Sequence, residues 1–378
     1  MQESKRHMKI CAGYGKKVMD LELYVVYLTD PDGSGRLDDV LDEALAAAEG
    51  KAEVLWLNGA DAFCEAADRG ELQHGRILFA AELEESGINL ELAEVCRYLH
   101  THRNALEGSV GGILVDGVTD LYTKDAGRRT AFAANLAGCT FPGKSLVEGT
   151  GSLKNYLVLS KNYHTTPRGA YGKSAGSMVE KILDFRQERS DHPSVLVVHA
   201  SSRKTSNSLL LWSKVARHLE GSAEIEEISI RNGQVWDCRG CKYETCLHFG
   251  ENSSCFYGGV MVEKVYPAII KCDVLVLICP NYNDAVSANI MAFINRLTAV
   301  FRTNDFSRKR VYALVVSGYS GGDIVAQQII GAINMNKNFI LPAGFALMAT
   351  ANDPGSILEI EEIDEQAEAF AERILGRN

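Results

Sequence analysis

The sequence predicts an α/β protein of two units, each a parallel sheet wrapped by helices. Three observations predict it. Short apolar runs rich in Val, Ile and Leu recur, and helical patterns separate them, which is the alternation of buried parallel strands and crossover helices. The length, 378 residues, suits two domains better than one. A charged stretch ending in proline, DFRQERSDHP at 184–193, interrupts the alternation midway and reads as a linker. The units are therefore expected at 1–189 and 190–378.

The composition is ordinary for a globular chain, at 46% hydrophobic and 23% charged residues. A net charge of −10 argues against a nucleic-acid binder, which needs a basic face. No apolar run approaches the roughly 20 residues of a membrane span. The N-terminus lacks the apolar core of a secretory signal, so the expected compartment is the cytoplasm and no membrane partner is expected. In that setting the ten cysteines are buried, metal-binding or redox-active rather than paired as disulfides.

In the first unit, 21–30 reads as a strand. The loop after it mimics a calcium loop, with Asp30, Asp32, Ser34 and Gly35 at positions 1, 3, 5 and 6. Leu41 stands where the bidentate Glu belongs, so a glycine-rich turn leading into a helix over 36–49 is the better reading. Further strands are expected at 52–59, 75–83, 108–117 and 156–163, with helical spacing over 89–105 and after 117. Gly172-Lys173-Ser174 imitates the end of a nucleotide loop, but Pro167 occupies the place of its first glycine. His100 and His102, two apart on a helical pattern, do not face one metal. The stretch ILVDGVTDLYTKDAGRRTAFAANLAG resembles LICPNYNDAVSANIMAFINRLTAV in layout. Duplication and the shared grammar of strand–helix units both explain this, and the second is preferred.

The second unit is more regular. Strands are expected at 194–200, 223–230, 273–280, 309–318 and 345–352, each followed by a helical pattern. Pro267 inside the helical run 258–272 implies a kink. Ligands of such sheets bind beyond the carboxyl ends of the strands. Three loops gather there. The first, SSRKTSNS, carries Ser201, Arg203, Ser206, Asn207 and Ser208 onto a helix start, where unpaired N–H groups and the helix dipole suit a phosphate. A well-capped turn explains those residues equally well, since Ser and Asn are favoured caps. The second carries Pro280, Asn281, Tyr282 and Asn283, an aromatic face with amides, and runs on to Ser287. The third carries Gly318, Tyr319, Ser320 and Gly321, where backbone can approach a ligand closely. Together the three loops fit a mononucleotide.

SSRKTSNS resembles the phosphate loop of the NADPH-dependent FMN reductase family, in the flavodoxin-like superfamily. PNYN resembles that family's ring loop, and SGYSGG its glycine-rich loop. The resemblance covers about 194–350. It implies a flavodoxin-like five-stranded parallel sheet with helices on both faces, the first unit being an α/β domain of possible kinship in architecture. It implies FMN, with phosphate on Ser201, Arg203, Ser206, Asn207 and Ser208 and the ring against Pro280–Asn283, Ser287 and Gly318–Gly321. NAD(P)H is then the reductant, and a quinone, a flavin or an electron-transfer protein the acceptor. Family sites lie near subunit interfaces, so a homo-oligomer is expected. The stretch after PNYN departs from the family pattern, which leaves reductant and acceptor less defined than the flavin.

Four cysteines, Cys238, Cys241, Cys246 and Cys255, crowd into one segment with spacing C-x2-C-x4-C-x8-C. Thiolates this close suit iron–sulfur or zinc. The segment resembles the cysteine loop of iron–sulfur flavoproteins, whose second and third cysteines lie closer together. A [4Fe–4S] cluster, zinc and free thiols all stay open. Three functions follow: an NAD(P)H-dependent flavin oxidoreductase with no side chain required as acid or base; an iron–sulfur flavoprotein carrier without its own NAD(P)H site; and a non-catalytic flavodoxin-like binding module.

Overall fold

The computed structural model describes residues 21–29, 35–188, 190–201, 206–231, 233 and 235–377. Its first half contains β1 (Glu22–Leu28), α1 (Arg36–Leu45), β2 (Glu53–Asn58), α2 (Gly59–Asp68), β3 (Arg76–Leu83), α3 (Leu90–Thr101), β4 (Val110–Gly117), α4 (Thr123–Leu136), β5 (Leu146–Gly149), α5 (Leu157–Asn162) and α6 (Pro167–Asp184). The strands form one parallel sheet in the order β2-β1-β3-β4-β5.

The second half contains β6 (Ser194–His199), α7 (Asn207–Leu219), β7 (Glu224–Ser229), α8 (Tyr243–Gly250), α9 (Tyr266–Lys271), β8 (Val274–Pro280), α10 (Ala288–Arg296), α11 (Thr298–Phe301), β9 (Arg310–Ser317), α12 (Gly322–Ile329), β10 (Ala346–Thr350) and α13 (Ile363–Leu375). Its sheet is parallel in the order β7-β6-β8-β9-β10. Both sheets have the flavodoxin-like order 2-1-3-4-5, so the fold class expected from the sequence is the one observed, in both halves. The central strands β6, β8 and β9 are apolar and almost wholly buried, as a sheet covered on both faces requires.

Several expectations differ from what is observed. The run 156–163 is helical: Tyr156 and Ser160, four apart, are buried, while Leu157 and Val158 stay on the surface. The fifth strand is instead Leu146–Gly149, too short to declare itself by alternation. Gly172-Lys173-Ser174 lies inside α6 and forms no loop. The run 258–272 is interrupted, as Pro267 implied. A π turn over Met261–Val265 runs directly into α9, and this irregular turn just before Pro267 accommodates its missing N–H. Of the rejected calcium loop, Leu41 is a core residue, and Asp30, Asp32 and Ser34 lie outside the described residues.

The halves meet at a reciprocal joint. Phe141 and Leu341 exchange both backbone hydrogen bonds, at 2.9 and 2.8 Å. Asn135, near the end of α4, donates to the Pro342 carbonyl at 2.7 Å and accepts from the Phe345 N–H at 3.1 Å. Asn334, just past α12, donates to the carbonyls of Phe141 (3.3 Å) and Pro142 (3.1 Å) and accepts from the Ser145 hydroxyl. The Gly344 N–H reaches Asn135 O, and the Lys144 N–H reaches Asn334 O. Counterparts stand about 200 residues apart (135 and 334, 141 and 341, 144 and 344), so the joint has approximate two-fold symmetry. The repeat therefore pairs β4–α4 with β9–α12, not with β8–α10 as the sequence layout implied. One apolar core runs through the joint and includes Cys139, Phe141, Phe339 and Leu341. A second core lies on the other face of the first sheet, under α1 and α6.

Candidate functional site

The site is the edge of the second sheet where β6, β8 and β9 end. Their pairing sets His199 beside Ile278 and Pro280 beside Val316, which brings the three predicted loops to one rim. The ladder continues one residue further, with the Asn281 N–H bonded to Val316 O at 2.8 Å.

The first loop contains Ser201, Ser206 and the start of α7; Arg203 lies outside the described residues. Ser206 is the N-cap of α7 but makes no side-chain cap bond, which leaves the first N–H groups of a 13-residue helix without that partner. Ser208 is buried in the first turn. The Asn207 side chain is turned away. It donates to Ala351 O (3.0 Å) and Asp353 O (2.8 Å) and accepts from the Gly355 N–H (2.8 Å). It therefore ties the helix start to the loop after β10, and only its backbone N–H remains for an anion.

Below this loop sits a residue that sequence reasoning missed. His199, the last residue of β6, is buried, with Nε2 3.1 Å from Glu227 Oε1 and Nδ1 unpartnered. The bond to His199 holds the Glu227 carboxyl below its usual pKa, and Trp212 Nε1–H adds a second donor at 3.1 Å. A buried histidine at a strand end carries no periodicity of its own, so only the assembled sheet reveals it.

The second and third loops are bolted together. Asn281 Nδ2 donates to Ser320 O at 2.7 Å and lies 3.3 Å from Ser317 Oγ, while Asn281 Oδ1 is buried without a partner. Asn283 and Asp284 both adopt positive φ, 54° and 55°, and turn the chain sharply after Tyr282. Gln328 of α12 holds that turn, accepting from the Val286 N–H and donating to Asp284 O. Gln328 is a second residue the sequence did not single out. Gly321 has φ 82°, and a Cβ there would collide with Asp284 and Asn281 side chains. Ser287 caps α10 without a side-chain cap bond, and its Oγ is buried and unpartnered. Tyr282 and Tyr319 are 61% and 81% exposed at the rim.

A helix start without a side-chain cap bond, two orphaned buried oxygens and a rim of amides, tyrosines and glycines make a cradle for a flat, phosphate-bearing ligand. The residues present fit FMN on those observations.

Residues 193–353 match the family model of NADPH-dependent FMN reductases. The match spans just under half of the chain and contains all three loops. No curated protein matches the chain. Among solved structures, the chain is similar to a Trp repressor binding protein from Bacillus subtilis, at 21% identity and TM-score 0.33, covering 48% of this chain and 99% of that one. It is also similar to an NAD(P)H:quinone oxidoreductase from Methanothermobacter marburgensis, at 15% identity and TM-score 0.37, covering 48% and 95%. An FMN-dependent NADH-azoreductase from Bacillus anthracis str. Ames Ancestor, in complex with FMN, gives 11% identity and TM-score 0.34, covering 48% and 99%.

The four crowded cysteines all line one cavity of about 190 Å³, together with Phe249, Phe256 and Arg302. All four are free thiols. Among the described residues no three His, Cys, Asp or Glu side chains gather closely enough to hold a single metal ion.

Proposed function

We propose that the protein is an FMN-dependent oxidoreductase that takes electrons from NAD(P)H and passes them to a small molecule or an electron-transfer protein. We assign the flavin to residues 190–378 and treat 1–189 as a separate unit packed against them. The observation that carries the reading is the convergence of three family-type loops on one sheet edge, where Asn281 Oδ1 and Ser287 Oγ are buried without partners. The phosphate would lie on the first turn of α7, with Ser201, Arg203, Ser206 and Ser208 and the backbone N–H of Asn207. Pro280 to Asn283, Ser287 and Gly318 to Gly321 would hold the ring.

Bound flavin supplies the hydride and electron chemistry. The chain's own part is to bind and orient. Asn281 fixes the separation of the two ring loops, and Gly321 lets the glycine loop close against the Asn281 and Asp284 side chains. Asn281 Oδ1 and Ser287 Oγ would meet the ring's polar edge. No side chain is required as acid or base. The exposed Tyr282 and Tyr319 would be covered by reductant, acceptor or a second copy of the chain, and a homo-oligomer is the assembly we expect.

Anaerobic protein loaded with FMN should lose its visible flavin bands on addition of NADPH or NADH. Flavin that binds but stays oxidised would reject the NAD(P)H step. Protein that takes up no FMN would leave the non-catalytic module.

The cysteine-lined cavity favours a second reading, an iron–sulfur flavoprotein carrier in which Cys238, Cys241, Cys246 and Cys255 hold a [4Fe–4S] cluster. Four irons and four acid-labile sulfides per chain after anaerobic purification would establish it; their absence, with four titratable thiols, would remove it.

A further inference from the structure

We propose that the cleft between the two halves binds a phosphorylated nucleotide. This inference rests on the flavin reading above. The cleft has a volume of about 720 Å³, within the range of small-molecule sites. Its floor is the groove between α3 and α4, and its far wall is Asp323 and Gln327 of α12 with Met348 of β10.

Charge selects the ligand. The chain carries a net −10, yet Arg97, Arg103, Arg129 and His100 line this one cleft against a single acid, Asp323. Arg97 and Arg129 pair with Glu94 and Asp125 on their own helices, and both guanidinium side chains stay more than half exposed. Exposed pairs of this kind are worth little, and a phosphate offers the planar guanidinium fork two charged acceptor oxygens in exchange. Arg103 has no ion pair among the described residues. The His100 ring leans on Phe132, with centroids 6.3 Å apart, and gives the cleft a flat face beside its charges. Leu83, Ile88 and Leu92 supply an apolar end.

Position links the cleft to the flavin edge. Asp323 is the second residue of α12, directly after the glycine loop that ends at Gly321. A ligand with at least one phosphate and a flat ring system, seated on the arginines, would therefore extend toward that loop. Two sources share this chemistry: the adenosine end of NADPH, and free FMN arriving as acceptor.

The probe is adenosine 2′,5′-bisphosphate, titrated calorimetrically into FMN-loaded protein at low salt. One molecule should bind per chain, and Arg97→Ser/Arg103→Ser/Arg129→Ser should weaken it at least tenfold with FMN content unchanged. Arg129→Lys, which keeps the charge, should retain most of the affinity. In turnover, a tenfold rise in KM for NADPH with little change for NADH would assign the cleft to the reductant. A rise confined to free FMN would assign it to the acceptor. Absence of bisphosphate binding in the wild type, or KM values for all three substrates unchanged from wild type in the triple variant, would overturn the proposal. The titration does not depend on turnover and is repeated on flavin-free protein, so a failed flavin reading leaves it interpretable.

Discussion

The two halves share a strand order and a joint but not an edge chemistry. In each, the first residue of the first helix reaches the loop after the fifth strand. In the second half that residue is Asn207, which bonds Ala351 O with a neutral amide. In the first half it is Arg36, whose guanidinium reaches Gly151 O (3.3 Å) and Gly117 O (3.0 Å). A half-buried guanidinium there favours a counter-charge. Asp116, wholly buried at the end of β4, supplies it through two guanidinium nitrogens at 2.6 to 3.0 Å, where the second half has Val316. The loops differ in the same sense. Gly321 precedes α12 with φ 82°, whereas Tyr122 precedes α4 with φ 74°, and the Tyr122 ring lies against Gly87 of the loop after β3. One fold repeated thus keeps its rim open for a ring in one half and fills it with its own tyrosine in the other.

The bluntest way to break this comparison is to count flavin. One FMN per chain is expected from absorbance against protein concentration; two would show that the first half binds as well. Next in size is Arg36→Met, which strands the Asp116 carboxylate in the core and should cost about 3–5 kcal/mol in chemical denaturation. Burial already holds the Asp116 pKa above its usual value despite Arg36. Without the arginine it rises further, so the folded state takes up a proton that the unfolded state binds less readily. The stability loss should therefore shrink as pH falls toward the acidic range. Asn207→Ala, the matched change in the second half, removes neutral bonds only and should cost about 1–3 kcal/mol with little pH dependence. Equal pH profiles for the two variants would contradict the assignment of one edge as ionic and the other as neutral.

The joint offers a finer test. A Cβ on Gly143 would run into the backbone of Asn338, whereas Ala343 already stands at the matching position. Gly143→Ala should cost about 1–3 kcal/mol, and Ala343→Gly less than about 1 kcal/mol, both read from denaturation midpoints. The smallest effect is expected at Ser287→Ala. Loss of one hydroxyl at the rim should weaken FMN by about 1 kcal/mol, or roughly fivefold, in a fluorescence titration. No loss would mean that the buried Oγ faces something other than the flavin.

The sequence by itself determined the α/β class, the five strands of the second half and the loops that follow three of them. Buried parallel strands are continuous apolar runs, and phosphate-type loops are dense in Ser, Asn and Gly, so both are written locally. It rejected Gly172-Lys173-Ser174 as a nucleotide loop because the first glycine is missing, and those residues lie inside α6. It mistook 156–163 for strand, since the four apolar letters at 156–159 hide which of them face inward. The tertiary structure decided what no window contains. It paired α4 with α12, brought Asn135 and Asn334 into each other's loops, set Arg36 beside Asp116 at a separation of 80 residues, and gathered arginines of α3 and α4 across from Asp323. These are contacts between residues far apart in the chain, and only the closing of both sheets brings them within reach of one another.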